Sequence, residues 1–176
     1  MKYDPEKHHR RSIRLKGYDY SQNGAYFVTI CTWQRQHLFG NIVDRKMQVS
    51  NYGHIIQLHW QNLVKYYPYL ELDEFVVMPN HLHGILVLTD NQDSRSIERH
   101  GLSEIIRGFK TFSSRKINQT RNLRGVPVWQ RSYYEHIIRN EKSLHNIRKY
   151  IVDNPLNWAQ DKLYSVPSSS KQKSKM

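Results

Sequence analysis

The sequence predicts an α+β fold: a four-stranded antiparallel sheet, two helices on one of its faces, and one more helix at the C-terminal end. Three observations carry this. Aromatic and β-branched runs with strand character occur four times. Apolar residues recur at three- and four-residue steps in two stretches between those runs, and in a third stretch after the last one. Two of the strands are separated only by a Pro79-Asn80 turn, so they form a hairpin. The order β-α-β-β-α-β followed by α is the ferredoxin-like split-βαβ arrangement with an added helix.

AYFVTICTW, Ala25 to Trp33, is the first strand. Val49, Tyr52, Ile56, Trp60, Leu63 and Tyr67 then trace an amphipathic helix that Pro68 ends. Glu71–Asn80 and His81–Asp90 are the hairpin strands. Beyond a polar loop, Ser103 is the expected N-cap of a second helix, with Glu104 in its first turn. Ile105, Ile106, Phe109, Phe112 and Ile117 mark its buried side, and Arg107, Lys110, Arg115 and Lys116 its exposed side. Val126 to Ile138 reads as the fourth strand, irregular near Pro127. Asn140 caps the third helix, whose apolar stripe is Leu144, Ile147 and Ile151, with Pro155 beyond its end.

The chain has 176 residues, with 27 Lys+Arg against 15 Asp+Glu and a formal net charge of +12. That length suits one domain. Hydrophobic residues are only 38%, yet 12% aromatics exceeds what a disordered chain carries. The expected organisation is a basic arm over 1–17, a folded domain over 18–160 and a disordered Ser/Lys-rich tail over 161–176. One Cys excludes an internal disulfide framework and a multi-Cys zinc site. No apolar run reaches the roughly 18 residues of a membrane span, and the basic N-terminus lacks a secretory apolar core. The expectation is a cytoplasmic protein with no membrane partner. The charge favours a phosphate polymer as partner over a merely solvated basic surface.

His81 and His83 flank Leu82 in a strand, where alternate residues share a face, so both imidazoles can converge on one ion. Ten His in 176 residues give about half of one such pair by chance, so spacing alone does not decide for a metal over two unrelated polar residues. With helices on one face of the sheet, the pair is expected on the open face, although Gly84 is expected to disturb the alternation. On the third helix Tyr150 and Asn154 are four residues apart and share a side. Tyr150 sits roughly 90° from the centre of the apolar stripe, at the margin of the buried face. Asn154 is a candidate further ligand, and Asp153 is the competing carboxylate.

MPNHLHGILVL, FKTFSSRKIN and VWQRSYYEHIIRNEKSLHNIRKYIVDNPLNW, with the opening RRSIRLKGYDYSQNGAYFVTICTWQRQHLFG, resemble the REP-associated tyrosine transposases, within the IS200-like group of single-tyrosine HUH transposases. The likeness runs from about Arg10 to Trp158, and it rests on the His-x-His pair followed by Y-I-x-x-N-P. It implies a ferredoxin-like catalytic domain, His81 and His83 as metal ligands, Asn154 as a third ligand where the wider group has Gln, and Tyr150 as the nucleophile on a catalytic C-terminal helix. It further implies Mg²⁺ or Mn²⁺, and a single-stranded DNA partner with palindromic, REP-like hairpins that is cut and rejoined through a 5′-phosphotyrosine. The group includes both monomers and dimers that share helices, so a homodimer stays open.

Under this resemblance Arg10, Arg11, Arg14 and Lys16 of the arm, and Arg107, Lys110, Arg115 and Lys116 of the second helix, are candidate DNA contacts. Glu135 and His136 are candidate helpers in deprotonating the tyrosine, against a reading as ordinary strand residues. Trp129, Tyr133 and Tyr134 could stack on bases or belong to the core. A replication or conjugative nickase uses similar chemistry but needs regions that 176 residues do not hold. The alternative from another class is a non-catalytic single-stranded nucleic-acid-binding protein on the same fold.

Overall fold

The structure is a computed structural model that describes Leu15, residues 17–90 and residues 99–164. Arg10, Arg11, Arg14 and Lys16 of the basic arm, and the tail beyond Tyr164, lie outside the described residues. The chain forms β1 (Gly24–Cys31), β2 (Gly40–Val43), β3 (Lys46–Val49), α1 (Asn51–Gln61), α2 (Leu63–Tyr66), β4 (Leu70–Met78), β5 (His81–Leu88), α3 (Leu102–Thr120), β6 (Tyr134–Ile138) and α4 (Glu141–Asp153). Strands β4, β5, β1 and β6 lie side by side in that order, every neighbouring pair antiparallel. This is the expected split-βαβ sheet, with β5 at its centre beside β1.

Sequence periodicity did not indicate β2 and β3. They pair with each other across a two-residue turn at Asp44 and Arg45, both at positive φ (48° and 62°). Primed hairpin turns demand that backbone, but they usually announce themselves with Gly or Asn. Val49 accordingly belongs to β3, and α1 starts after Ser50, whose Oγ accepts from Gly53 N at 3.2 Å. For α3 the N-cap is Gly101 rather than Ser103. Glu104 reaches back from the first turn to accept from Gly101 N at 3.2 Å. The fourth strand is shorter than its apolar run. Trp129 makes one bridge to Thr32, and regular pairing begins only at Tyr134.

The two faces of the sheet carry different cores. Tyr26, Val28, Ile30, Leu82 and Leu86 pack with Ile56 and Trp60 of α1 and with Ile105, Ile106 and Phe109 of α3. Trp129 closes this core, its indole N–H donating to Ser113 Oγ at 3.0 Å. Phe112, expected inside, is exposed on α3. On the opposite face Phe27, Ile85, Ile138 and Ile151 form a smaller cluster with Leu144 and Ile147 beneath α4. Arg148 pins α4 to the sheet edge through a two-pronged ion pair with Asp73 of β4 (Nε–Oδ1 2.8 Å), which holds the Asp73 carboxyl below its ordinary range. Among the described residues no helix is long and apolar enough to cross a membrane.

Gly84 does not disturb the alternation of β5. Leu82, Gly84 and Leu86 face α1 and α3, while His81, His83 and Ile85 face α4. The Trp60 indole lies close against Gly84, and a Cβ there would come well inside contact distance of its Cζ2. Replacing Gly84 with Ala should therefore lower stability by about 1–3 kcal/mol in denaturant unfolding. In a Trp60→Leu background the same Gly84→Ala change should cost less, since the ring that the methyl meets is gone.

Candidate active site

The site begins with two consecutive facts about β5: it starts immediately after the Pro79-Asn80 turn, and its first and third residues are histidines facing α4. Both rings are buried, not displayed on an open face as expected, because α4 and the segment after it roof that side of the sheet. Their ring centroids are 4.4 Å apart.

Each ring is oriented from behind. Asn80 Nδ2 donates to Leu163 O at 2.9 Å, which fixes its amide so that Oδ1 accepts from His81 Nδ1 at 2.8 Å. His81 Nε2 is thereby left with its lone pair, buried and without a hydrogen-bond partner. Directly across the β1–β5 ladder, Thr29 Oγ1 sits 2.8 Å from His83 Nδ1, and Phe27 stacks on the His83 ring at 5.4 Å. Burial pushes His81 down to about 3, partly opposed by the Asn154 amide, and burial reinforced by His81 pushes His83 well below the ordinary histidine range. Both imidazoles are neutral at physiological pH, the form that ligates metals.

α4 delivers the other two expected residues. Ile151 is its buried anchor, and Tyr150, next to it in sequence, stands at the margin of that face with 45% of its surface exposed. Its hydroxyl lies 3.2 Å from His83 Nε2 in the same chain. Four residues on, Asn154 is buried, its Nδ2 donating to Asp161 Oδ2 at 2.7 Å and its Oδ1 without a partner. Burial first, and the Asp161 carboxylate next, push the Tyr150 phenol up to about 12. At neutral pH the hydroxyl is therefore protonated, and a base or a nearby positive charge must assist its ionisation.

Sequence reasoning missed three residues here. Thr29 and Asn80 orient the histidines. Asp161 was assigned to the tail, yet residues 161–164 fold against the hairpin turn. Leu163 N donates to Asp161 Oδ1 at 2.6 Å, and Tyr150 OH lies 3.5 Å from Oδ2. His81, His83 and Asp161 each offer a ligand atom within 4.8 Å of the others. The only advance signal for Asn80 was its place in the turn before the His pair. Asp161 had none, since it follows the last recognisable motif.

Other expected residues are not brought to this cluster. Arg107, Arg115 and Lys116 are exposed on α3, across the sheet. Lys110 is not a free surface cation. Its Nζ donates to Gln130 O at 2.5 Å and Arg131 O at 2.8 Å, and burial pushes it down to about 8. Glu135 pairs with Val28 and faces the α1–α3 side, which removes it as a helper of Tyr150. His136 shares the α4 face but lines an open groove with Phe27, Tyr134, Asn140 and Asn146. Trp129 is core, while Tyr134 is half exposed at the mouth of that groove. Asp153, the competing carboxylate, lies outside the cluster among the described residues.

Two neutral imidazole nitrogens, an amide oxygen and a carboxylate, two of those atoms buried and unpaired, suit a divalent cation. The family model described as "Transposase IS200 like" matches residues 21–154. The chain belongs to the IS200-like transposases. This transposase is 42% identical over 180 residues to an uncharacterized protein of Haemophilus influenzae, covering 93% of this chain and 97% of that one. It is 26% identical over 137 residues to the REP-associated tyrosine transposase of Escherichia coli K12, covering 78% of this chain and 69% of the relative. A solved structure of a REP-associated tyrosine transposase bound to a REP hairpin superposes with a TM-score of 0.59 at 20% identity, covering 86% of this chain and 77% of that chain. The α+β sheet expected from the sequence is the fold of that structure.

The buried donors make one outcome specific. Thr29→Val removes the hydroxyl behind His83 while keeping its volume. It should weaken Mn²⁺ binding about 10–100-fold by calorimetry, with the fold intact by circular dichroism.

Proposed function

We propose that this transposase cuts and rejoins single-stranded, hairpin-forming DNA, with Tyr150 as the nucleophile and with His81, His83 and Asn154 holding a divalent cation. One observation carries the reading: the Tyr150 hydroxyl stands 3.2 Å from His83 Nε2 within a single chain, beside buried, unpaired ligand atoms. A catalytic set contained in one chain needs no helix from a partner, so the reading holds for a monomer.

The phenolic oxygen attacks the scissile phosphorus as the bond to the DNA 3′ oxygen breaks, leaving a 5′-phosphotyrosine and a free 3′-OH. The proton lost by the phenol is balanced by the one gained by the leaving oxygen. Attack by a second 3′-OH reverses the step and joins strands, so no high-energy cofactor is consumed. Bound Mg²⁺ or Mn²⁺ would polarise the phosphate and favour the phenolate. The chain's own contribution is placement. Ile151 and the Arg148–Asp73 pair hold α4 on the sheet, and the ladder partners of β5 hold the imidazoles beneath the phenol.

The hairpin stem is read as contacting the exposed Arg107, Arg115 and Lys116 of α3, and also Arg10, Arg11, Arg14 and Lys16 of the arm, which lie outside the described residues. The support is the excess of positive charge and the relative solved with a REP hairpin bound.

Incubation with a REP-like single-stranded hairpin and Mn²⁺ should give a covalent protein–DNA adduct resistant to denaturant. Chelation or Tyr150→Phe should abolish it. Hairpin binding with no adduct and no metal requirement would instead support the non-catalytic alternative. In a salt titration of hairpin binding, Arg115→Ala and Lys116→Ala should each lower the slope of log affinity against log salt by about one. Lys110→Met should leave that slope unchanged and lower the thermal midpoint, because its ammonium is spent on two backbone carbonyls.

A further inference from the structure

We infer that Asp161 is a ligand of the same divalent cation, so that the metal centre is completed by the segment that follows α4 and not by the helix alone. The inference rests on the proposed function, and it adds a carboxylate from beyond the stretch, residues 21–154, that matches the family.

Geometry brings the carboxylate there. Asp161 Oδ2 accepts from Asn154 Nδ2 at 2.7 Å, and the ligand atoms of His81, His83 and Asp161 all lie within 4.8 Å of one another. Ligand atoms at about 2.1 Å from a shared ion stand about 3.0 Å apart when cis and about 4.2 Å apart when trans, so a closure of at most about 1–2 Å brings the three onto one ion. Two atoms in this space are buried without partners, His81 Nε2 and Asn154 Oδ1. Buried polar atoms are nearly always paired, and an ion between them and the carboxylate would pair both.

The segment is also built to hold that position. Leu163 N donates to Asp161 Oδ1 at 2.6 Å, and Leu163 O accepts from Asn80 Nδ2 at 2.9 Å. Arg35 donates to Lys162 O at 3.3 Å, and Trp158 packs near the His81 ring with centroids 5.9 Å apart. One residue, Asn80, thus orients His81 through its oxygen and tethers the Asp161 segment through its nitrogen. Charge argues the same way. Two imidazoles and an amide leave a divalent ion with its full charge in a buried pocket, whereas a carboxylate offsets half of it.

The test is a calorimetric titration of the full chain with Mn²⁺ alone, with no DNA present. Asp161→Asn, which keeps the size and a hydrogen-bonding oxygen, should weaken Mn²⁺ at least about tenfold. Asp153→Asn should bind as wild type, and His83→Ala should not bind. Asp161→Glu should recover part of the affinity, since it restores a carboxylate. If His83→Ala loses binding while Asp161→Asn keeps wild-type affinity, the Asp161 assignment falls and the two-histidine centre stands. If wild type binds no Mn²⁺, both fall. Equal weakening by Asp153→Asn and Asp161→Asn would also overturn the assignment, because nothing in it would be particular to Asp161. Thermal midpoints of the variants identify any loss that comes from unfolding.

Discussion

The rest of the site depends on burying two neutral imidazoles side by side on one strand, each with one ring nitrogen turned toward α4. Unprotonated histidine is tolerated in a core only when each ring nitrogen is satisfied or ligated. The chain meets the outer half of that requirement with protein groups, Asn80 behind His81 and Thr29 beside His83. On the inner side His83 Nε2 meets the Tyr150 hydroxyl, and His81 Nε2, beside the Asn154 amide, makes no hydrogen bond among the described residues. From α4 and its C-terminal extension a phenol, an amide and a carboxylate face the pair, with Trp158 packed beside the His81 ring. A small cluster of Phe27, Ile85, Ile138 and Ile151 lies alongside and holds the helix that carries them.

This explains why the sheet has two unequal cores. The face beneath α1 and α3 carries nearly all the large apolar side chains and supplies the stability. It is so tightly filled at Trp60 that β5 gives up a side chain at Gly84. The opposite face holds one helix with a narrow apolar stripe, one ion pair to the sheet edge and the polar cluster. On the proposed function, a stable layer behind and a lightly anchored layer in front let a DNA strand reach the half-exposed Tyr150 while the buried His81, His83 and Asn154 stay dry.

Much of this was legible in the sequence because two periodicities carry it. Alternation places His81 and His83 on one face, and a 3.6-residue period places Tyr150 at the edge of the stripe ending in Ile151, with Asn154 one turn on. The four central strands and three helices follow from the same patterns. What was illegible depends on contacts distant in sequence or on backbone that composition does not announce. The β2–β3 hairpin turns through Asp44 and Arg45, which give no glycine signal. Lys110 and Phe112 both sit where helical phase allows the opposite environment. Lys110 is drawn in by the carbonyls of Gln130 and Arg131, and Phe112 falls outside the reach of the sheet. Asp161 stands in the short stretch between the last motif and a Ser/Lys-rich tail. Only its hydrogen bonds to Asn154 and Leu163 reveal it.

The central claim is that the Tyr150 phenol, poised over the histidine pair, is the group that takes the DNA 5′-phosphate. Peptide mapping by mass spectrometry of the product formed with a hairpin substrate and Mn²⁺ tests it most directly. The account predicts a nucleotide 5′-phosphate on the peptide containing Tyr150, attached to that tyrosine. Attachment to Tyr134 or Tyr164, the other exposed tyrosines near this face, would contradict it.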